Sequence, residues 1–330
     1  MLRHEPSRAR RLPVLAALVL ALIAAPAACT GERPPQPRPS AEPAPRVPLS
    51  SVLAAVRKAP AIRTLPPDLT PSPATASRDL GFDNEKCETP PTADRIEACV
   101  FGDRASAIDV VLYGDSHAGM WLPPMIQIAE RRHWRLSFYG KPACPALRIT
   151  FWNEQERRPF AECDRFRDFV ANRITAERPD LVVVTNGSFS RKRGRGVLIT
   201  PEQWQVGLTQ TLTTLRRSAS RVVVLGDTPV LAGSAPECLA AHPRAVQACS
   251  TTRAAATARV WNAADRAAAR LTGSGYVSVL PWLCTAVCTP VIGDVTVYRN
   301  RFHLTGTYAR MMNGVLEDAL LTSFSADSAP

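Results

Sequence analysis

Residues 108–117 read Ile-Asp-Val-Val-Leu-Tyr-Gly-Asp-Ser-His, an apolar run that ends in a glycine, an acid, a serine and a histidine. The run has the length and β-branched content of a buried strand, and the polar residues after it are typical of a turn that leads into a helix. Apolar runs of the same kind recur at 135–139, 181–185, 221–225 and 276–280, with amphipathic stretches between them. This alternation predicts an α/β fold in which helices cover both faces of a central parallel sheet.

The stretches between these strands carry helix signals. Thr200 is a suitable N-cap residue, Pro201 fits the first helical position and Gln203 completes a capping box, so a helix is predicted to begin there. The last helix is predicted from about residue 305 to 323. The sequence contains neither a G-x-G-x-x-G nor a Walker pattern, which are glycine-rich loops that hold nucleotide phosphates.

The chain has 330 residues, of which 45% are hydrophobic and 21% are charged, so it is predicted to be globular. This composition excludes wholesale disorder, a fibrous protein and a polytopic membrane protein. The 40 lysines and arginines outnumber the 29 acidic residues and give a net charge of +11. Because these cations are spread along the chain and form no single basic stripe, the charge predicts no nucleic-acid partner.

The N-terminus has the organisation of an export signal. Four arginines precede the apolar run 12–25, which is too short to span a bilayer comfortably, and Pro26-Ala27-Ala28-Cys29 follows it. Cys29 directly after two small residues resembles the cleavage site of bacterial lipoproteins, in which that cysteine is lipidated. We therefore expect a signal peptide at 1–28 and a lipoprotein on the extracytoplasmic face of the bacterial plasma membrane. Simple secretion and an uncleaved anchor are the alternatives.

The next segment is rich in proline. Twelve prolines within residues 30–80 oppose regular packed structure and predict an extended tether over 29–80, with a short helical arm at 49–56. The folded domain is predicted to span 81–325, followed by a short tail at 326–330.

Eight cysteines follow Cys29, and an even number in an exported chain predicts disulfide bonds. Sequential pairs are separated by only 12, 19, 11 and 4 positions, which favours local pairing, although the count by itself allows many other connectivities. The last pair also has metal-ligand spacing, but no second cysteine pair or close histidine completes a tetrahedral set, so no metal is predicted. The expected pairs are Cys87–Cys99, Cys144–Cys163, Cys238–Cys249 and Cys284–Cys288.

Ser116 follows the first apolar strand and precedes a predicted helix. In open α/β sheets ligands bind at the carboxyl ends of the strands, where a helix N-terminus favours developing negative charge. Ser116 is therefore a candidate nucleophile, although Gly-Asp-Ser is also an ordinary turn and N-cap sequence. His303, just before the last helix, is the preferred candidate base. The other histidines weighed for this role are His117, beside the serine, His133 and His242.

The order Ser116, Gly140, Asn186 and His303 resembles the SGNH hydrolase superfamily, whose name lists these residue types. The closer resemblance is to the SGNH domain associated with membrane acyltransferase-3 proteins, which O-acylate envelope glycans. This resemblance covers roughly residues 80–325. The motifs that carry it are Gly-Asp-Ser-His-Ala-Gly-Met-Trp at 114–121, Lys-Pro-Ala-Cys-Pro at 141–145, Pro-Glu-Cys-Leu at 236–239, Cys284-x-x-x-Cys288, and Val297-Tyr298-Arg299 leading to His303-Leu304-Thr305.

The resemblance implies a three-layer, flavodoxin-like fold with local disulfides. It also implies that Ser116 is the nucleophile and His303 its base, with Asp115 and His117 as parts of the serine motif.

An oxyanion hole is implied as well. The backbone N–H groups of Ser116 and Gly140 and the side-chain amide of Asn186 would donate to the oxyanion from three successive strand ends. Gly140 and Asn186 are also ordinary turn residues, so these two assignments rest on the resemblance.

One position departs from the family. The residue three before the histidine is normally aspartate, and here it is Asn300. An amide oxygen can accept a hydrogen bond from the imidazole of His303, but it cannot stabilise the imidazolium by charge. We therefore expect a weakened enzyme, and a catalytically degenerate glycan-binding or accessory protein is the alternative.

The resemblance implies an exported, membrane-tethered serine enzyme, either an O-acyltransferase or an acyl esterase, that acts on cell-envelope glycans. Its substrate would be an envelope polysaccharide or a glycolipid. A separate membrane acyltransferase-3 protein would supply the acyl group, and neither a cofactor nor nucleic acid is expected. The sequence leaves open whether the acyl group passes to a sugar hydroxyl or to water, because that choice depends on how the site excludes water.

Overall fold

The structure is a computed structural model that describes residues 44–188, 192–257 and 259–325. The predicted signal peptide at 1–28, the predicted lipidation site Cys29 and the tail at 326–330 lie outside the described residues.

Helices occur throughout the described part of the chain. The α-helices are α1 (Leu49–Lys58), α2 (Pro73–Ala76), α3 (Asn84–Cys87), α4 (Ser116–Arg132), α5 (Ala161–Glu177), α6 (Pro201–Arg216), α7 (Ala235–Ala241), α8 (Arg253–Ala256), α9 (Arg259–Leu271), α10 (Gly306–Met311) and α11 (Asn313–Ser325). Short 3-10 helices lie at Ala59–Ala61, Val246–Cys249 and Leu280–Trp282. Within the described ranges, no helix has both the length and the apolar character that a membrane span requires.

The strands divide into a main sheet and short hairpins. The main sheet contains β1 (Cys99–Gly102), β2 (Asp109–Gly114), β3 (Arg135–Gly140), β6 (Leu181–Thr185), β9 (Arg221–Leu225) and β11 (Gly275–Val277). The short strands are β4 (Trp152–Asn153), β5 (Arg158–Pro159), β7 (Lys192–Gly194), β8 (Val197–Leu198), β10 (Thr251–Thr252), β12 (Val287–Cys288), β13 (Val291–Ile292) and β14 (Val295–Thr296).

The main sheet has the order β1-β3-β2-β6-β9-β11. All neighbouring strands are parallel except β1, which pairs antiparallel with β3 at one edge. The parallel strands follow the flavodoxin-like order, in which the direction of winding reverses at a switch point. Here the switch point lies between β2 and β6, whose last paired residues are Gly114 and Thr185.

Side chains of the sheet alternate between two hydrophobic cores. In β2, Val110 and Leu112 face the first core, whereas Val111 and Tyr113 face the second. Helices α1, α4, α10 and α11 pack in the first core, and α5, α6 and α9 pack in the second. The predicted α/β fold, with a central parallel sheet between two helical layers, is therefore confirmed.

Most predicted elements form with small shifts. The capping box at the start of α6 is present, with Gln203 N donating to Thr200 Oγ1 at 3.2 Å. The strand predicted at 276–280 ends at Val277, because a 3-10 helix with Pro281 follows, and proline has no N–H to donate to a sheet. The last helix is divided at Met312 into α10 and α11.

The four predicted disulfide bonds are confirmed. They join Cys87 to Cys99, Cys144 to Cys163, Cys238 to Cys249 and Cys284 to Cys288.

Residues 44–80 pack against the domain. Helix α1 buries two valines in the first core, and Val47 N donates to Asn313 Oδ1 at 3.2 Å. The backbone of this arm passes so close to α11 that a Cβ atom on Gly314 would lie 2.0 Å from Val47 O. Residues 44–80 are therefore packed, whereas the proline content predicts an extended tether over 29–80, because the prolines there alternate with apolar side chains that pack. The helical arm predicted at 49–56 lies within α1.

Lys141 holds the segment that precedes β1. Its side chain is fully buried, and Nζ donates to the backbone oxygens of Pro90, Pro91 and Ala93 at 2.6, 2.9 and 2.8 Å. Burial lowers the pKa of Lys141 to about 8. Three carbonyl groups that have no strand or helix partner are thus satisfied by one ammonium group.

We expect Lys141→Met to lower the free energy of unfolding by about 2–3 kcal/mol, because three backbone oxygens lose their hydrogen bonds to a charged group. Urea denaturation of the purified protein measures the change. Lys58→Met is the matched control, since Lys58 is exposed. Equal stability of the two variants would contradict this role for Lys141.

Candidate active site

Ser116 lies at the carboxyl end of β2, where it begins helix α4. A Cβ atom on Gly114 would lie 1.9 Å from Thr185 O, so only glycine lets β2 and β6 meet at this point. Asp115 caps the helix, and its Oδ1 accepts from His117 N at 2.9 Å. The turn therefore places Ser116, which is half-buried, in the first turn of α4 beside the switch point.

The predicted base is in contact with the predicted nucleophile. His303 Nε2 lies 2.8 Å from Ser116 Oγ. A hairpin carries His303, since Arg299 N donates to the backbone oxygen of His303 at 2.9 Å and Tyr298 bridges to Leu304. Residues that are distant in sequence are thus brought to hydrogen-bonding distance by the sheet edge and the hairpin.

Asn300 contacts the other side of the imidazole through its amide nitrogen. Its Oδ1 accepts from the backbone N–H groups of Phe302 and His303 at 3.0 and 2.9 Å, which fixes the orientation of the amide. Its Nδ2 therefore faces His303 Nδ1 at 2.9 Å. The expectation that the amide oxygen accepts from the imidazole is wrong, because the hairpin backbone already occupies that oxygen.

This orientation determines the tautomer of His303. An amide nitrogen is only a donor, so Nδ1 must accept, and a neutral imidazole then carries its proton on Nε2. That proton points at Ser116 Oγ, whereas a general base needs an unprotonated Nε2 at this position. An aspartate at position 300 would instead accept from Nδ1 and leave Nε2 able to take the serine proton.

The surroundings also oppose a charge on His303. Burial, the nearby His117 and Arg299 together lower the pKa of His303 to about 2. The imidazole is therefore neutral across the physiological pH range.

The two further residues of the predicted oxyanion hole lie on the neighbouring strand ends. Gly140 is opposite Gly114 in the pairing of β2 with β3, and a Cβ atom on it would lie 2.2 Å from the ring of Phe138. Asn186 follows β6 directly and is buried; its Oδ1 accepts from Ala146 N at 2.6 Å. Its Nδ2 has no hydrogen-bond partner among the described residues, so a buried NH₂ group remains to donate to an incoming oxygen.

His117 takes part in a buried ion pair that the sequence did not predict. Its Nδ1 lies 2.8 Å from Asp227 Oδ1, and both side chains are fully buried. Asp227 Oδ2 accepts from the backbone N–H and the hydroxyl of Ser188 at 2.8 and 2.6 Å. Burial alone would favour the neutral groups, but their attraction raises the pKa of His117 and lowers that of Asp227. The ring of His117 lies 5.0 Å from that of His303, between centroids.

Asp115 joins the serine turn to the loop after β6. Its Oδ2 accepts from Gly187 N at 2.9 Å, and burial raises its pKa. The loop at 186–188 is thus held by two acids, Asp115 at Gly187 and Asp227 at Ser188.

Glu88 and Arg299 were also missed as site residues. Glu88 Oε1 lies over the first turn of α4, where a Cβ atom on Gly119 would be 2.6 Å from it. Burial raises the pKa of Glu88 to about 7, against the opposing effect of Arg299. Arg299 belongs to a motif of the sequence, but no feature of the sequence marks Glu88. Asp227 could have been suspected, because an acid directly after a strand lies at the same edge as Ser116.

Among the described residues, no group of three or more histidine, cysteine, aspartate or glutamate side chains is arranged to hold a metal ion.

The fold and this arrangement of serine, glycine, asparagine and histidine define an α/β domain of the SGNH type. The family model described as "SGNH domain (fused to AT3 domains)" matches residues 86–318, and the chain belongs to this family. Membership supports a role in acyl modification. No curated protein matches the chain.

The solved structures that are similar to the chain include an acetyltransferase domain and a hydrolase. The periplasmic domain of the lipopolysaccharide acetyltransferase of Salmonella ser. Paratyphi A has a TM-score of 0.52 and 14% identity, over 66% of this chain and 85% of that chain. An α/β hydrolase from the metagenome of Lake Arreo, Spain, has a TM-score of 0.36 and 14% identity, over 68% and 98% of the two chains. The first similarity shows the fold.

We expect His303 to carry its proton on Nε2 in the wild-type protein and on Nδ1 in Asn300→Asp. In the variant, one carboxylate oxygen replaces Oδ1 toward the backbone and the other accepts from Nδ1, which also raises the pKa of His303. Nitrogen-15 NMR of histidine-labelled protein distinguishes the two tautomers, and His303→Gln identifies the signal. Ser116→Ala should keep the wild-type tautomer, because the Asn300 contact is intact. A proton on Nδ1 in the wild-type protein would refute this reading of the amide.

Proposed function

We propose that the protein is an exported enzyme that takes an acyl group onto Ser116 and passes it to a hydroxyl group of a cell-envelope glycan, or to water. The observation that carries this proposal is the 2.8 Å contact between Ser116 Oγ and His303 Nε2 at the switch point of the sheet. The unpartnered amide of Asn186 on the next strand end supports it.

In the proposed first step, Ser116 Oγ attacks the carbonyl carbon of the acyl donor while its proton passes to His303 Nε2. The oxyanion accepts hydrogen bonds from the N–H groups of Ser116 and Gly140 and from Asn186 Nδ2. The donor's leaving group departs with the proton held by His303, and the acyl group is then an ester of Ser116.

In the second step the acceptor hydroxyl attacks this ester and gives its proton to His303 Nε2. Ser116 Oγ leaves with that proton, so the enzyme returns to its starting state.

Asn300 slows both steps. Nε2 can take a proton only when Nδ1 is protonated, and Nδ1–H then meets the donor Nδ2 of Asn300. The two donors can avoid each other only if the side-chain amide of Asn300 rotates, and this rotation breaks its two hydrogen bonds to the hairpin backbone. Because deacylation by water and transfer to a glycan hydroxyl need the same base, Asn300 slows both, and the ratio between them depends on how well a bound glycan displaces water from the acyl group on Ser116.

We place this activity outside the cytoplasm, with an envelope polysaccharide or glycolipid as substrate. The predicted export signal, the four disulfide bonds and the likeness to a periplasmic domain support this location. The description of the family as fused to AT3 domains supports a membrane acyltransferase-3 protein as the partner that supplies the acyl group. The proposal includes neither a cofactor nor nucleic acid.

A second candidate function is glycan binding without catalysis. The donor contact from Asn300 to His303 favours it, since the histidine is held in the tautomer that cannot accept the serine proton. The two functions differ in whether Ser116 reacts.

We expect a fluorophosphonate probe to label the wild-type protein slowly and Ser116→Ala not at all, with Ser220→Ala, a change of an exposed serine, as the control.

On a small chromogenic acetyl ester, Asn300→Asp should be faster by about 10² to 10⁴, because the charged partner stabilises the imidazolium. Asn186→Ala should be slower by about 10² to 10³, the usual effect of losing one oxyanion donor. A wild-type rate equal to that of Ser116→Ala on esters and on glycan acceptors would remove the enzymatic proposal.

The pH dependence of the same reaction tests the state of His303. A base acts in its neutral form, and a pKa of about 2 keeps His303 neutral, so the wild-type rate should not fall between pH 6.5 and 5 through this group. In Asn300→Asp the raised pKa should make the rate fall as the pH decreases through it. Glu88→Gln is the control, because Glu88 has a pKa of about 7 and titrates in the same range. An acid limb in the wild-type protein that persists in Glu88→Gln would contradict the low pKa.

For the location, we expect cleavage before Cys29 and a lipid on that cysteine. The intact mass of protein extracted from membranes shows both, and Cys29→Ser should move the protein to the soluble fraction. An unmodified mature N-terminus at another residue would exclude lipidation.

A further inference from the structure

A cleft of about 420 Å³ opens beside the N-terminal half of helix α9. Three arginines line it together with polar and apolar groups. The residues that matter are Arg253, Thr257, Arg259, Asn262, Arg266 and Leu280.

The three guanidinium groups have no acidic partner in the part of the chain that the structure describes. Arg253, Arg259 and Arg266 form none of the ion pairs found there. Arg266 lies over the ring of Tyr276 at 5.0 Å from its centroid, which limits the freedom of its side chain. The cleft therefore concentrates positive charge on groups that bind carboxylates and phosphates well.

In two other clefts of the described chain, a lining arginine forms an ion pair with an acid. Arg148 lines one cleft with Glu202 and forms an ion pair with Asp168. Arg95 lines another and is paired with Asp94. Many exposed arginines among the described residues form ion pairs with acids. The arginine cleft beside α9 differs because its arginines have no such acidic partners there.

The acid closest in sequence does not neutralise this cleft. Asp265 on α9 is buried and accepts from Trp204 Nε1 at 2.7 Å, inside the second core. Burial raises its pKa to about 7, which reduces its charge further. The first turn of α9 contains no acid, and a helix N-terminus adds a partial positive charge.

The cleft lies on the same edge of the sheet as Ser116. Asn262, in the wall of the cleft, accepts from the backbone N–H of Asp227 at 2.7 Å. Asp227 lies two residues after the end of β9 and pairs with His117. β9 is two strands from β2 and β11 is three, which corresponds to about 10–15 Å at the usual strand spacing. This separation is within the reach of a short oligosaccharide that has one hydroxyl group at Ser116.

We propose that the arginine cleft binds an anionic substituent, a carboxylate or a phosphate, on the glycan that accepts the acyl group. The acceptor is then an acidic polysaccharide or glycolipid, held by its charge a few sugar units from the hydroxyl that reacts. This inference rests on the proposed function, which it makes more specific.

Binding tests the inference without catalysis. In a Ser116→Ala background, calorimetry compares tri-galacturonate, a maltotriose phosphate and neutral maltotriose. We expect one or both anionic sugars to bind at least about tenfold more tightly than maltotriose, and the difference to shrink as salt screens the charges. The sugar that binds more tightly identifies the substituent as carboxylate or phosphate.

Arg259→Gln combined with Arg266→Gln should abolish this preference, since both exposed side chains lose their charge. Arg270→Gln, at the other end of the same helix, should leave it unchanged. The double variant should have the same circular dichroism spectrum and the same unfolding midpoint as Ser116→Ala alone, which shows that the fold is intact. Equal binding of neutral and anionic sugars, no binding of either anionic sugar, or a preference that survives in the double variant would overturn the inference.

The result of the sugar-binding test can be distinguished from the result of the test of Ser116 reactivity. Charge-dependent binding without serine reactivity would leave the arginine cleft in a binding protein, whereas reactive Ser116 without charge-dependent binding would leave an enzyme for neutral glycans.

Discussion

The site depends on one buried carboxylate, that of Asp227. It accepts from Ser188 after β6 and from Thr228 N at 2.7 Å after β9, and it faces His117 in the first turn after β2. Thr228 Oγ1 in turn donates to the backbone oxygen of Phe302, beside His303, at 2.9 Å. Four segments from separate parts of the chain are thus joined at one anion. Loss of one partner would leave the other charge buried, at a cost of about 3–5 kcal/mol, so the arrangement is held firmly.

The chemistry of Ser116 depends on a second, smaller constraint. The His303 hairpin offers two backbone N–H groups to residue 300, and whichever oxygen accepts them decides what faces the imidazole. Aspartate has a second oxygen for that position, whereas asparagine has only an amide nitrogen. The difference is a single atom, yet it reverses the direction of a hydrogen bond and with it the tautomer of the histidine. A weakened enzyme and a binding protein therefore have nearly the same structure here.

The sequence predicted the features that depend on local pattern. Apolar runs located the strands of the main sheet except β1, and the position of Ser116 after the first run located the site at the carboxyl edge. Features that depend on tertiary contacts were not predictable. The position of Asp227 after a strand places it at the right edge of the sheet, but its pairing with His117 appears only in the fold, and the amide of Asn300 has no preferred orientation until the hairpin forms. Residues 44–80 show the converse, because their proline content indicated an extended chain where buried apolar side chains decide the structure.

The four disulfide bonds join cysteines that are at most 19 residues apart, and no bond encloses another. In the export that we propose, which starts from the N-terminus, both members of a pair therefore leave the translocation channel in close succession. Each short loop closes at a lower entropic cost than any loop to a later cysteine. Cysteines then pair in the order in which they leave the channel, so the correct disulfide bonds form without exchange between pairs.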